Sequence, residues 1–206
     1  MSVPGTKLRV PTPRRQLVAR TRLVDRLRAA PTRRPRLVLV SAPAGFGKTT
    51  LLSQWLAPAG RGDDPGGDLR VGPRVAWLSL DATDTDPRAF LSHLVAALQV
   101  PSPQVGVGVL ALVGADGSLP VEEVVSGLVD DLDALSGVTV VALDDYHLVD
   151  TPEVDTLVGS LLDQLPPRVT IALTTRVDPP LPLAQLRARG ELVEIRAAVM
   201  APPWLP

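Results

Sequence analysis

Four short runs of the chain are apolar at nearly every position: Leu37 to Val40, Val75 to Leu80, Val138 to Leu143 and Val169 to Thr174. Such runs suit strands covered on both faces. Leu192 to Arg196 makes a fifth. Between them the apolar residues recur at three and four positions, the period of a half-buried helix. Thr21 to Arg28 has this spacing, with Thr21 placed as an N-cap. Asp86-Pro87 opens another helix as N-cap and first residue, with Phe90, Leu91, Leu94, Val95 and Leu98 on one face. Val121, Val124, Val125, Leu128, Val129, Leu132 and Leu135 define a long helix over 120–135 that Gly137 ends. Further helices are expected from Pro152 to Leu165, stopped by Pro166-Pro167, and around Leu183 to Arg189, stopped by Gly190.

Strand and helix therefore alternate along one α/β domain, which predicts a five-stranded, mostly parallel sheet sandwiched by helices. The remaining segments carry no such period. Residues 1–13 hold Pro4, Gly5, Pro11 and Pro13 and read as an extended arm, and residues 57–73 form a Gly/Pro/Asp loop. Residues 100–117 are punctuated by Pro and Gly and fit neither template. There is no internal repeat.

Composition narrows the picture. Apolar residues are 45% of the 206 positions but aromatics only 3%, so Leu, Val and Ala must fill the core. The absence of cysteine excludes disulfides and thiolate chemistry. The first residues lack the apolar core of a secretory signal, and the longest apolar stretch, Val105 to Val113, is too short to span a bilayer. A cytoplasmic protein is the expectation. The net charge of −1 hides an asymmetry: residues 1–36 hold Lys7 and ten arginines against Asp25 alone. With no aromatic interleaved, this basic arm suits solvation better than nucleic-acid binding.

Candidate chemistry begins after the first strand. Ala42 to Thr49, APAGFGKT, follows the phosphate-binding loop pattern with alanine at the first glycine position. A strand must there turn sharply into a helix while backbone N–H groups converge on phosphate oxygens. Gly45 and Gly47 permit the positive φ angles that such a nest requires. The helix that follows adds its positive N-terminal end. Lys48 would reach the β- and γ-phosphates, and the Thr49 hydroxyl would ligate Mg²⁺. The third strand runs into Asp144-Asp145, where Asp144 would hold Mg²⁺ and Asp145 would orient or deprotonate a water. The fourth ends in Thr174-Thr175-Arg176. In a parallel sheet every strand's C-terminal end opens on one edge, so Arg176 stands where a γ-phosphate sensor would. His93 and His147 lack metal-ligand spacing and are expected to be structural.

Several blocks, in order, resemble one family: TKLRVPTPRRQLVARTRLVDRL, LVLVSAPAGFGKTTLLSQWL, VAWLSLDATDTDPRAFLSHLVAAL, VVALDDYHLVD and LPPRVTIALTTRVDPPLPLAQLRARGELVEIR. They are similar to the nucleotide-binding domain of MalT-like, large ATP-binding LuxR-type transcriptional regulators, of the STAND class of P-loop NTPases. The resemblance covers about residues 7–196. It implies an ASCE/AAA-like (NB-ARC/AAA-like) fold over 21–196 that uses ATP or ADP with Mg²⁺. Ala44, Gly45, Phe46, Gly47, Lys48, Thr49 and Thr50 would form the phosphate loop. Thr49 and Asp144 would sit on the metal side. Lys48, Asp145 and Arg176 would be the catalytic set. Within the basic arm of residues 1–20, the segment around Val18 and Arg20 would lie against adenine. The resemblance implies a slow ATPase used as a switch, with ATP plus an inducer favouring self-association and ADP a closed state.

The ten residues 197–206 match nothing in that family, whose members continue into sensor modules and a helix-turn-helix. Direct DNA binding by this chain is therefore not expected, and its contacts would be with itself or with other regulator domains. Two alternatives stay open: a small-molecule kinase on the same loop, and a non-functional gene fragment.

Overall fold

A computed structural model describes residues 3–12, 20–28, 34–57 and 73–200. Five strands, β1 (Leu37–Ser41), β2 (Arg74–Ser79), β3 (Thr139–Asp144), β4 (Val169–Thr175) and β5 (Leu192–Arg196), form one sheet in the order β2-β3-β4-β1-β5. Every pair is parallel. The expected strands are thus all present, with ends that move by a residue at most.

Each strand alternates its side chains between two cores. Leu37, Leu39, Leu78, Val141, Leu143, Ile171 and Leu173 face one side. There α3 (Pro87–Gln99), α4 (Val107–Gly114), α5 (Val121–Asp133), α6 (Pro152–Gln164) and α7 (Leu183–Ala188) contribute to the core. Val38, Val40, Trp77, Ala142 and Ile195 face the other, against α1 (Thr21–Arg28), α2 (Lys48–Leu56) and the short α8 (Ala197–Met200). Leu51 and Leu52 of α2 are fully buried. Each such burial contributes about 1.5–3 kcal/mol, which seats the helix that carries the loop.

Local chemistry explains the helix ends. Asp86 caps α3 by accepting from the Ala89 N–H, with Pro87 at the first position, as the sequence predicts. Thr151 caps α6 in the same way through the Val154 N–H.

Three expectations need correction. Thr21 lies inside α1, and the Arg20 carbonyl accepts the first bonds, from the N–H groups of Leu23 and Val24. Residues 107–114 are helical (α4), although their apolar residues form no stripe. The described part of the arm is neither fully extended nor fully solvated. The Lys7 N–H closes a turn onto the Pro4 carbonyl, and the Lys7 carbonyl accepts from the Ser79 N–H at 2.8 Å, covering the free edge of β2. The Lys7 ammonium is buried against Asp84, at 2.7 Å. Asp84 also bonds His93 Nδ1 at 2.5 Å, so His93 is structural, as expected.

Candidate functional site

Because the sheet is parallel, its C-terminal edge gathers the last residue of every strand. Ser41 stands in register with Thr175 and Arg196, and Ser79 with Asp144. From Ser41 the backbone turns into α2 through Gly45 and Gly47, whose φ angles are 83° and 72°. A side chain at either would strain the turn. Ala42 is buried and does not share that conformation, so its methyl group is no defect. Gly47 precedes α2 without a side-chain cap, which leaves the first N–H groups of the helix for a ligand.

Lys48 folds back across this loop and donates to the Pro43 carbonyl at 3.2 Å. Burial lowers its pKa, the Asp145 carboxylate opposes that shift, Arg176 adds to it and Asp144 opposes it. Asp145, Arg176 and Asp144 are thus the charges that act on the Lys48 ammonium. Phe46 packs half-buried onto the core beneath α2, Ala44 is exposed, and Thr50 is half-buried on the first turn. The Arg20 guanidinium lies over the loop, about 3.4 Å from where a Gly47 side chain would begin. It is held by the Met200 carbonyl at 3.2 Å, while the Arg20 N–H donates to Gln54 at 3.4 Å. Arg20 therefore stands beside the loop, and Val18, which the resemblance sets against adenine with it, lies outside the described residues.

Asp144 is the best-connected group of the site. The Thr49 hydroxyl donates to its Oδ1 at 3.0 Å and the Thr174 hydroxyl to the same oxygen at 2.5 Å. Burial raises the Asp144 pKa, and these two hydrogen bonds hold it down. A buried carboxylate with a second carboxylate beside it is a place for positive charge. The spacing fits Mg²⁺ as well. Adjacent oxygens around an octahedral ion with bonds of about 2.1 Å lie about 3 Å apart, the separation of Thr49 Oγ1 and Asp144 Oδ1. Among the described residues no three His, Cys, Asp or Glu side chains gather into a metal cage. Such an ion would need phosphate and water for its remaining bonds.

Asp145 is the one non-glycine residue with positive φ, 59°, among the described residues. A left-handed conformation costs such a residue about 1–2 kcal/mol. Its N–H is fixed by Thr174 Oγ1 at 2.8 Å, and the carboxylate is 40% exposed at the mouth of the site. Arg176 follows β4 by one residue and is exposed, with no hydrogen bond or ion pair among the described residues.

Two residues escaped the sequence argument. Thr174 joins both carboxylate residues, and its signal was a hydroxyl in an otherwise apolar run. His147, in the 3₁₀ turn Tyr146–Leu148, stands with Nδ1 3.9 Å from Asp145 Oδ1 and within the fields of Arg176 and Lys48.

The family model described as AAA ATPase domain matches residues 16–173. The chain belongs to the AAA ATPase domain family. Within this AAA ATPase family its likeness to MalT regulators runs over nearly the whole sequence. It is 34% identical to the HTH-type transcriptional regulator MalT of Serratia proteamaculans over 201 residues, 98% of this chain and 20% of that protein. It is 33% identical to the serine/threonine-protein kinase PknK of Mycobacterium tuberculosis over 197 residues, 96% of this chain and 17% of that one. The chain thus spans a fifth or less of these relatives. Among solved structures, a chain of Drosophila ORC bound to DNA aligns over 82% of this chain and 83% of its own length, at 9% identity and a TM-score of 0.45. No helix among the described residues is long and apolar enough to cross a membrane.

Proposed function

We propose that this AAA ATPase domain binds ATP with Mg²⁺ and serves as the nucleotide switch of a MalT-like transcriptional regulator, hydrolysing ATP slowly. The observation that carries this is the 3.0 Å contact between Thr49 of the phosphate loop and Asp144 of β3, with Lys48 beside both. It joins the two halves that such a site requires, from residues 95 apart in sequence.

The residues divide the work. The N–H groups of the loop and of the first turn of α2 would cradle the β- and γ-phosphates. Lys48 would leave the Pro43 carbonyl for a phosphate oxygen, a short movement for a side chain already inside the loop. Thr49 and Asp144 would hold Mg²⁺, the ion that neutralises charge on the phosphates when bound. Asp145 would orient and deprotonate a water, and Arg176 would meet the charge on the terminal phosphate. Arg20 would steady the base side of the loop. From α8, the Met200 carbonyl would hold Arg20 in place, and DNA contact would belong to other parts of such a regulator.

Isothermal calorimetry tests the site. Lys48→Ala should lose Mg²⁺-ATP binding while keeping its thermal transition without ligand. Unchanged affinity in that variant would overturn the assignment. A kinase acting on a small acceptor would instead show ADP formation that depends on an added metabolite.

A further inference from the structure

The His147 side chain is nine-tenths buried, at 10% exposure, yet neither ring nitrogen has a hydrogen-bond partner among the described residues. A buried imidazole normally satisfies both nitrogens, one as donor and one as acceptor. The nearest candidate is Asp145, whose Oδ1 lies 3.9 Å from Nδ1. That is about 1 Å beyond a hydrogen bond. His147 is held in a turn whose Tyr146 is fully buried and whose Leu148 N–H bonds the Asp145 carbonyl at 3.0 Å. The Asp145 carboxylate is 40% exposed, which leaves it room to turn toward the ring. Burial, with Arg176 and Lys48 nearby, disfavours a charged ring against the pull of Asp145, so the ring keeps one donor and one acceptor.

We propose that His147 is a positioning residue for Asp145: its Nδ1–H closes onto the carboxylate when nucleotide fills the loop, and fixes the oxygen that faces the attacking water. The inference rests on Asp145 acting on water at that site. Asp145 is one of the charges that act on Lys48. With Lys48 drawn to phosphate that attraction weakens, and the exposed Asp145 carboxylate can swing to the ring. Nε2 then remains to accept from a water or from Arg176. His147 would thus separate the loaded site from the empty one without touching nucleotide.

The chain has two histidines, so ring ¹⁵N spectra of the full 206-residue protein resolve both. On saturation with Mg²⁺ and a β,γ-imido ATP analogue, the His147 Nδ1 proton should appear in slow exchange at a hydrogen-bonded shift. His93, already on Asp84, should stay put. Asp145→Ala should abolish the change. His147→Ala should keep Mg²⁺-ATP affinity within threefold and lower phosphate release at least tenfold. His147→Asn, whose amide N–H occupies the Nδ1 position, should recover most of that loss. Unmoved His147 signals in a sample that calorimetry shows to be saturated would overturn the proposal alone. Absence of any nucleotide binding would overturn the site and this proposal together. Where parental turnover is below detection, the ring spectra decide by themselves.

Discussion

Replacing Lys7 by Met keeps the aliphatic stem and removes only the charge. Lys7 Nζ sits 2.7 Å from Asp84 Oδ2 and 3.2 Å from Asp81 Oδ2. Asp84 is wholly buried, whereas the Asp81 side chain is half exposed. Asp81 is held down to about 2, chiefly by the hydroxyl and N–H of Thr83, with burial opposing and Lys7 adding less. The variant therefore bears on Asp84. Breaking a buried pair by removing one partner costs about 3–5 kcal/mol. Asp84 would keep two partners, the Asp81 N–H at 2.8 Å and His93 Nδ1 at 2.5 Å. With those partners kept, the expected loss falls just below that range, at about 2–3 kcal/mol. For a chain of this size that is a fall in Tm of roughly 4–12 °C. Urea denaturation gives the free energy. Hydrogen exchange at the Ser79 N–H, which bonds the Lys7 carbonyl, reports the arm itself. A loss below about 1 kcal/mol with Ser79 still protected would refute the reasoning. It would mean that the hydrogen bonds from Asp81 and His93 are enough for Asp84 and that the arm is held by something other than its charge.

Thr174→Val preserves shape in a fully buried position but strips the Asp145 N–H of its acceptor and Asp144 of one donor. It should cost about 1–3 kcal/mol in urea, and calorimetry should show weaker Mg²⁺-ATP binding; full affinity would detach Thr174 from the site. Asp155 accepts from the Tyr146 hydroxyl at 2.6 Å, and its carboxyl is pushed up to about 6, chiefly by burial, with Asp150 adding and the Tyr146 donation opposing. The folded state then holds a proton that the unfolded chain releases near pH 4. This group therefore contributes stability that is lost as pH rises through the window from about 4 to 6. In urea titrations across that window, Asp155→Asn should show a flatter or more positive slope with pH than the parent. Parallel slopes would deny the raised carboxyl.

The sheet and most of the site were legible because parallel strands buried on both faces must be apolar throughout. Chemistry at their ends then stands out, as Asp144-Asp145 does after Thr139 to Leu143. The glycines of the loop were legible for a related reason: positive φ leaves little choice of residue. What could not be read depends on partners far away in sequence. Lys7 is one lysine in a basic arm until Asp84, 77 residues on, takes it up. α4 has apolar residues on every side, with Val109 and Val113 buried but Val107 and Leu110 exposed, so no stripe marks it. His147 looked like filler because its significance is an absence of partners, and no sequence displays that.

The strand order also governs how the molecule comes into being. β1 carries the phosphate loop, yet its two neighbours are β4 and β5, and Leu37 waits for Ile171 and Leu192. On a ribosome adding about 5–20 residues per second, that wait is roughly 7–27 s. Throughout it both edges of an almost wholly apolar strand stay unpaired. Contacts of such long range make folding slow and leave sticky edges for chaperones or for other nascent chains. A shortened product ending before β4 would leave β1 unpaired on both sides, making that segment the natural first place to look for aggregation during synthesis.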